Sequence, residues 1–193
     1  TDLSITLTLF GSTMCIWQLL HRVTAGRVLA SLGFFALLLL AKMTAMIIFP
    51  IAAALLVIRF VGGKPLVVNW RMRSWSLASR GSHALVFAAL VGLHALAGWT
   101  AIWAHYGFRF AASPQGVETP VAWGERQYRD KSPGPFIQVV RWAHERRILP
   151  EGYCNGIDWL LGTDDNEPAF MHGRSKLGGW RSFFPYAIWA FPE

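Results

Sequence analysis

Hydrophobic positions along this chain come in long uninterrupted runs separated by short basic connectors, and the pattern changes character near residue 105. Residues 3–20, LSITLTLFGSTMCIWQLL, hold no charged side chain. About 18 to 20 such residues are enough for a helix to cross a hydrocarbon core of roughly 30 Å. Residues 28–58 form a longer run whose single charge is Lys42. As one straight helix this run would be about 46 Å long at 1.5 Å per residue, too long for the core without a steep tilt. Two shorter helices folded back at residues 42–45 fit better, because a Lys at the centre of a span costs roughly 2.5 to 3.5 kcal/mol on insertion scales. Residues 84–104, ALVFAALVGLHALAGWTAIWA, supply another run, with Trp99 and Trp103 where amphipathic rings favour an interface. Residues 183–191 begin a further apolar stretch. The pattern predicts an all-α, polytopic transmembrane helix bundle. Its four spans fall at about 3–20, 28–42, 44–58 and 84–104, followed by a partly helical loop over 105–182 and the start of a truncated fifth span at 183–193.

Charge gives the direction of each span. The first connector carries Arg22 and Arg27, the second Arg59, Lys64, Arg71, Arg73 and Arg80, and neither contains an acid. By the positive-inside rule both face the cytoplasm. The run between them then crosses twice, and Lys42 lies at the outer tip. The outer side also receives Asp2, ahead of the first span, and the whole 105–182 segment.

Composition narrows the class. With 53% hydrophobic and 15% charged residues the chain is not disordered, and two cysteines, Cys15 and Cys154, make no disulfide scaffold. A net charge of +7 and a pI near 10.0 would suit nucleic acid if the bases shared one binding face. They do not: the two connectors hold the whole excess, so the charge is read as topology and nucleic acid is excluded as a partner. The chain opens at Thr1 and closes inside an apolar run, and is expected to be an internal piece of a longer protein.

Within 105–182 a helix is predicted over FIQVVRWAHERRIL, started by Pro133, Pro135 and the candidate cap Ser132, with Ile137, Val140, Trp142 and Ile148 on its apolar side. A second covers residues 151–161, with Tyr153, Ile157, Leu160 and Leu161 inward and Gly162 as its stop. Asp164, Asp165, Asn166 and Glu167 lack the alternating ligands of a calcium loop and read as a solvated turn. His94 reads as a packed residue hydrogen-bonded to a neighbouring helix. No phosphate-binding glycine loop, zinc-ligand spacing or nucleophile-elbow motif is present.

An acid, a cation and a covering segment at one interface are the parts needed to handle a lipid-linked phosphate. The plainer reading, an acid at a helix N-terminus and a snorkelling lysine, stands beside it. Thr1-Asp2-Leu3, the apolar span, the basic turn and then LLLAKMTA leading to Phe49-Pro50 resemble bacterial membrane glycosyltransferases of the GT-C type. More closely, the chain is similar to the dolichyl-phosphate-mannose-protein mannosyltransferase-like family and its relatives that transfer aminoarabinose to lipid A. The segments Tyr106-Gly107-Phe108-Arg109-Phe110, Leu149-Pro150-Glu151-Gly152-Tyr153 and Phe170-Met171-His172-Gly173-Arg174-Ser175 extend the resemblance along most of the chain.

The resemblance implies inverting transfer of a sugar from a polyprenyl-phosphate donor to a protein, lipid or glycan acceptor, at the periplasmic face of a bacterial inner membrane. It implies that Asp2 is a supporting catalytic acid and a candidate ligand for a divalent metal, Mg or Mn. The principal acid would lie in a loop upstream of Thr1. Lys42, Arg109 and Glu151 would bind substrate, with Lys42 near the carrier phosphate. The competing expectation is a non-catalytic polytopic protein, such as a transporter piece or an assembly subunit, in which the outer segment is only a partner surface.

Overall fold

The computed structural model describes residues 2–70, 73–113, 135–163, 168–171 and 173–177, with Trp180, Ser182, Tyr186 and Trp189. The chain divides into two compact units, Thr1–Arg109 and Phe110–Glu193. The first is built from helices α1 (Asp2–His21), α2 (Ala25–Ala41), α3 (Ile48–Val61) and α4 (Arg80–His105), with strands β1 (Arg22–Thr24), β2 (Leu66–Trp70) and β3 (Arg73–Leu77). The second holds α5 (Pro135–Glu145), α6 (Glu151–Thr163) and the strands β4 (Pro168–Met171) and β5 (Arg174–Leu177).

Each helix of the first unit starts and stops for a local reason. Thr24 caps α2, its hydroxyl accepting from Arg27 N at 3.3 Å, and Ser79 caps α4 by accepting from Ser82 N at 3.1 Å. The long apolar run is broken at Lys42, whose backbone is extended (φ −165°, ψ 147°). A 3-10 turn, Met43–Ile47, then leads into α3. Pro50 falls in the first turn of α3, where its missing N–H would have had no helical acceptor.

The helix directions follow from side-chain pairs. Ser31 and Phe35 of α2 meet His94 of α4, and Leu39 and Phe35 lie over Gly98. Contacts that advance together along both chains make α2 and α4 parallel. Arg59, near the end of α3, donates to Leu20 O near the end of α1 at 2.9 Å, so these two helices end together. The first unit is thus a four-helix bundle with the sheet at one end and Asp2, Lys42 and the end of α4 at the other.

Among the described residues three helical segments, Leu3–His21, Met43–Val61 and Arg80–His105, are long and apolar enough to cross a membrane. Helix α2 has 17 residues and falls just short of that length. The apolar side chains are not gathered inward: Leu3, Phe10, Val61 and Leu85 are each at least 70% exposed. In water so much outward apolar surface would drive association, whereas in lipid it is the expected exterior. Helices then adhere by close packing, and glycine lets them approach. A Cβ built at Gly98 would lie 2.7 Å from Leu39 Cδ1 and 3.0 Å from Phe35 Cε1, whereas one at Gly33 meets nothing within 4 Å. Gly98→Val is therefore expected to cost about 1 to 3 kcal/mol by overpacking. Gly33→Ala should be neutral or slightly stabilising. Equal shifts of the unfolding temperature in detergent for both variants would refute the close-approach assignment.

The all-α expectation is corrected by two small sheets. In the first, β1 runs parallel to β2 (Arg22 opposite Val67, Thr24 opposite Asn69) and β2 antiparallel to β3 (Leu66 opposite Leu77, Trp70 opposite Arg73). The two basic connectors are therefore one structure, sealed by buried Val23 and Leu66. Branched and aromatic residues in LVVNW (Val67, Val68, Trp70) and the Ser-Trp-Ser-Leu alternation in RSWSL favour strands.

In the second unit α5 buries Ile137, Val140 and Ala143, at spacings of three. Trp142, expected on the same side, is 51% exposed, because five residues from Ile137 make one turn and roughly 140° more and so place it on the opposite face. Helix α6 buries Tyr153, Cys154 and Ile157 and continues past Gly162 to Thr163. Strands β4 and β5 form an antiparallel hairpin, with Met171 opposite Arg174 and Gly173 at φ +75° in the turn. Ser132, Pro133 and the acidic run 164–167 lie outside the described residues, as does most of 183–193.

Candidate functional site

The residues expected to handle a lipid-linked phosphate fall on two units. Asp2 opens α1, where an acid is favoured by the positive end of the helix dipole. Lys42 sits in the extended break between α2 and the 3-10 turn, its side chain exposed and its carbonyl accepting from Ala45 N at 2.9 Å. Arg109 follows α4 and is exposed. Its position is set by the way α4 ends. Phe108 N donates to Trp103 O at 2.8 Å and Gly107 N to Ala104 O at 3.0 Å, with Gly107 at φ +62° and Phe108 at φ +55°. This is a left-handed glycine cap, and it turns the chain sharply so that Arg109 N donates back to Tyr106 O at 3.2 Å. The structure thus brings Asp2, Lys42 and Arg109 to the same end of the bundle, opposite the sheet.

Glu151 belongs to the second unit and is 1% exposed. Its carboxylate accepts from Ala112 N at 2.8 Å, and its own N–H donates to Phe110 O at 2.9 Å. Both bonds lie within the second unit and tie residues 110–112 to the start of α6. As placed here, the Glu151 carboxylate is directed at the protein's own backbone, and its direct effect is to hold the strand of chain that follows Arg109. Phe110 is further fixed by the His144 ring, 5.4 Å between centroids, and by the Arg147 guanidinium 5.0 Å above its face.

Between the four helices lies a cavity of about 160 Å³, half open and apolar but for His94. His94 Nδ1 donates to Leu90 O at 2.8 Å, since a carbonyl can only accept, and Nε2 pairs with the wholly buried Ser31 hydroxyl at 2.8 Å. Both nitrogens are occupied, which makes His94 a pin between α2 and α4 and agrees with its expected packed role.

Among the described residues no group of three or more His, Cys, Asp or Glu is placed to hold a metal ion. Asp2 is the sole carboxylate before Glu118. A single carboxylate together with substrate phosphates is a common way to hold Mg²⁺, so Asp2 fits only an ion shared with the donor.

The sequence reading missed two residues. Arg59 was counted only as topological charge, yet it is 6% exposed and bonds three carbonyls. Cys154 is wholly buried, and burial together with the neighbouring Glu151 charge pushes its thiol from 9.0 to about 12. It is an inert thiol, not a nucleophile. The folded form keeps a proton that the unfolded chain sheds, so the second unit should lose stability as pH rises from about 9 toward 12. We expect the unfolding temperature to fall more steeply above pH 9.0 in the wild type than in Cys154→Ala. Rapid alkylation of Cys154 in the folded protein at neutral pH would contradict the burial.

No known protein family matches this chain, and no curated protein or solved structure does either. What the fold defines is a class: a mostly helical protein that has, among its described residues, three helices long and apolar enough to span a membrane.

Proposed function

We propose that the chain forms part of an integral-membrane glycosyltransferase that moves a sugar from a polyprenyl-phosphate donor to a protein, lipid or glycan acceptor. The observation that carries this reading is the position of Lys42, the sole charge in residues 28–58, in a helix break at the end of the bundle opposite the basic sheet. On this reading α2 is a fourth span. Its 17 residues reach about 26 Å, and the flanking break and cap let it cross a thin or slightly compressed core. Residues 183–193 would start a fifth.

Orientation follows from charge. The sheet end lies in the cytoplasm and the Lys42 end on the periplasmic side of a bacterial inner membrane. There the Lys42 ammonium offsets charge on the carrier phosphate as it becomes the leaving group, and Arg109 offers a second cation at the same level. In inverting transfer an acceptor oxygen bonds to the sugar's anomeric carbon while the bond from that carbon to the phosphate oxygen breaks. The acceptor's proton passes to a base, a role the family gives to an acid upstream of Thr1. Asp2 positions the acceptor or an ion shared with the donor, Mg or Mn when one is bound.

The test is direct. Membranes carrying the protein of the complete reading frame are given polyprenyl-phosphate mannose or aminoarabinose, and release of polyprenyl phosphate is followed with and without a chelator. Release above that of membranes lacking the protein supports the reading. No release with either donor, with or without added Mg or Mn, sinks it.

A further inference from the structure

The sheet end of the bundle gathers Arg22, Arg27, Arg59, Lys64, Arg73 and Arg80. From residue 3 to residue 117 the chain has no Asp or Glu at all, and Asp2 is at the other end of the bundle. Two of these cations serve the fold. Arg27 donates to Gln18 O at 3.1 Å and Arg22 O at 3.2 Å. Arg59 donates to Leu20 O, Lys64 O and Pro65 O at 2.9, 2.8 and 3.0 Å. Carbonyls at two helix ends contribute roughly half a negative charge each, which leaves most of the positive charge without a counter-charge from the bundle. That counter-charge has to come from the surroundings.

A concavity of about 180 Å³ opens beside Arg59, between the ends of α1 and α3. Its lining divides by chemistry. Trp17 and Ile58, 43% and 63% exposed, continue the apolar flank of the bundle. His21 and Lys64 are exposed at the sheet end, and Gly62 completes the lining. His21 is held in place: its Nδ1 donates to Trp17 O at 2.8 Å and its ring lies 4.3 Å from the indole. Nε2 is the ring's remaining polar atom.

We propose that this pocket binds one anionic phospholipid, with the phosphate at Arg59 and Lys64, a headgroup hydroxyl donating to His21 Nε2 and an acyl chain along Trp17 and Ile58. A buried guanidinium held in fixed geometry, a mobile lysine and an interfacial tryptophan bordering exposed apolar surface match a lipid phosphate, which is both charged and tethered to hydrocarbon. The proposal rests on the membrane placement of the bundle and is independent of sugar transfer.

The test uses the full chain, purified in a neutral detergent and titrated with phosphatidylglycerol, phosphatidylcholine or inorganic phosphate, with bound lipid counted by native mass spectrometry. Phosphatidylglycerol should bind in preference to phosphatidylcholine. The double variant His21→Gln, Lys64→Gln, both at exposed positions, should bind at least about fivefold more weakly, the factor equivalent to about 1 kcal/mol. Arg80→Gln, a cation of the same end outside the pocket, should bind as the wild type does. An equal loss in Arg80→Gln would mean diffuse attraction and overturn the site. Inorganic phosphate displacing the lipid at equal concentration, or no preference between the two lipids, would overturn it as well. Lipid binding retained in a protein that transfers no sugar would sink the enzyme reading alone, and recovery of the chain without detergent would sink the membrane placement.

Discussion

Replacing Arg59 by methionine is expected to destabilise the first unit by about 3 kcal/mol or more, the largest loss of stability for any single side chain of the bundle. Three carbonyls, those of Leu20, Lys64 and Pro65, would lose a charged donor together. Hydrogen bonds to charged groups contribute about 1.5 to 3 kcal/mol each, and the sum is reduced because water reaches the exposed turn at Lys64 and Pro65. The geometry makes the effect larger than capping alone. Leu20 lies just before β1 and Pro65 just before β2, so one guanidinium holds the starts of two parallel strands that are far apart in sequence. Lys64 O and Pro65 O also close the turn that follows α3. Methionine keeps the stem's volume but none of the donors, while Arg59→Lys supplies one point charge that cannot fork to three acceptors and should recover only part of the loss. The measurement is the unfolding temperature in detergent, with Arg73→Gln, an exposed cation of the same sheet, as the control. Arg59→Met unfolding with the control would show that the three-carbonyl bridge holds nothing.

The long helices were legible because length and apolarity are local properties. Residues 3–20 became Asp2–His21, residues 84–104 became Arg80–His105, and the break expected at 42–45 begins at Lys42. The sheet was not legible. Strand β1 has three residues and no pattern of its own; it exists because it pairs with β2, 45 residues further on, and a single sequence carries no trace of that pairing. The same distance hides the Glu151 tie, whose partner Ala112 is 39 residues away. An acid after a proline at a helix start looks the same whether it faces a ligand or a backbone amide. The cap at Tyr106–Gly107 has a readable signal, a glycine just past a long apolar helix. The candidate site divides the same way: Asp2, Lys42 and Arg109 share one end because helix direction follows from the number of crossings, while the state of Glu151 depends on tertiary contact.

Lys42→Ala in the protein of the complete reading frame is expected to lower kcat/KM for a polyprenyl-phosphate sugar by about a hundredfold, or about 2.7 kcal/mol of transition-state stabilisation. Charge on the bridging phosphate oxygen grows as the bond to the sugar breaks, and a cation next to it in a partly desolvated site acts most strongly at that moment. Lys42→Arg should retain more activity than Lys42→Ala, because it keeps the charge while changing its reach. The extended backbone at residue 42 is open to any side chain, the bond from Ala45 N to its carbonyl is kept in any variant, and removing a charge from an apolar run eases insertion. An unchanged unfolding temperature together with lost transfer would therefore separate chemistry from stability. Water-soluble donors with a shortened prenyl chain make the distinction finer, because they keep the phosphate and lose the membrane anchor. A lysine that acts on the phosphate should matter equally for both donors, whereas a lysine that only anchors the helix break at the headgroup level should matter for neither. Unchanged kinetics with both donors would remove Lys42 from the site, and a collapse in Arg109→Gln alone would move the phosphate to the cap of α4.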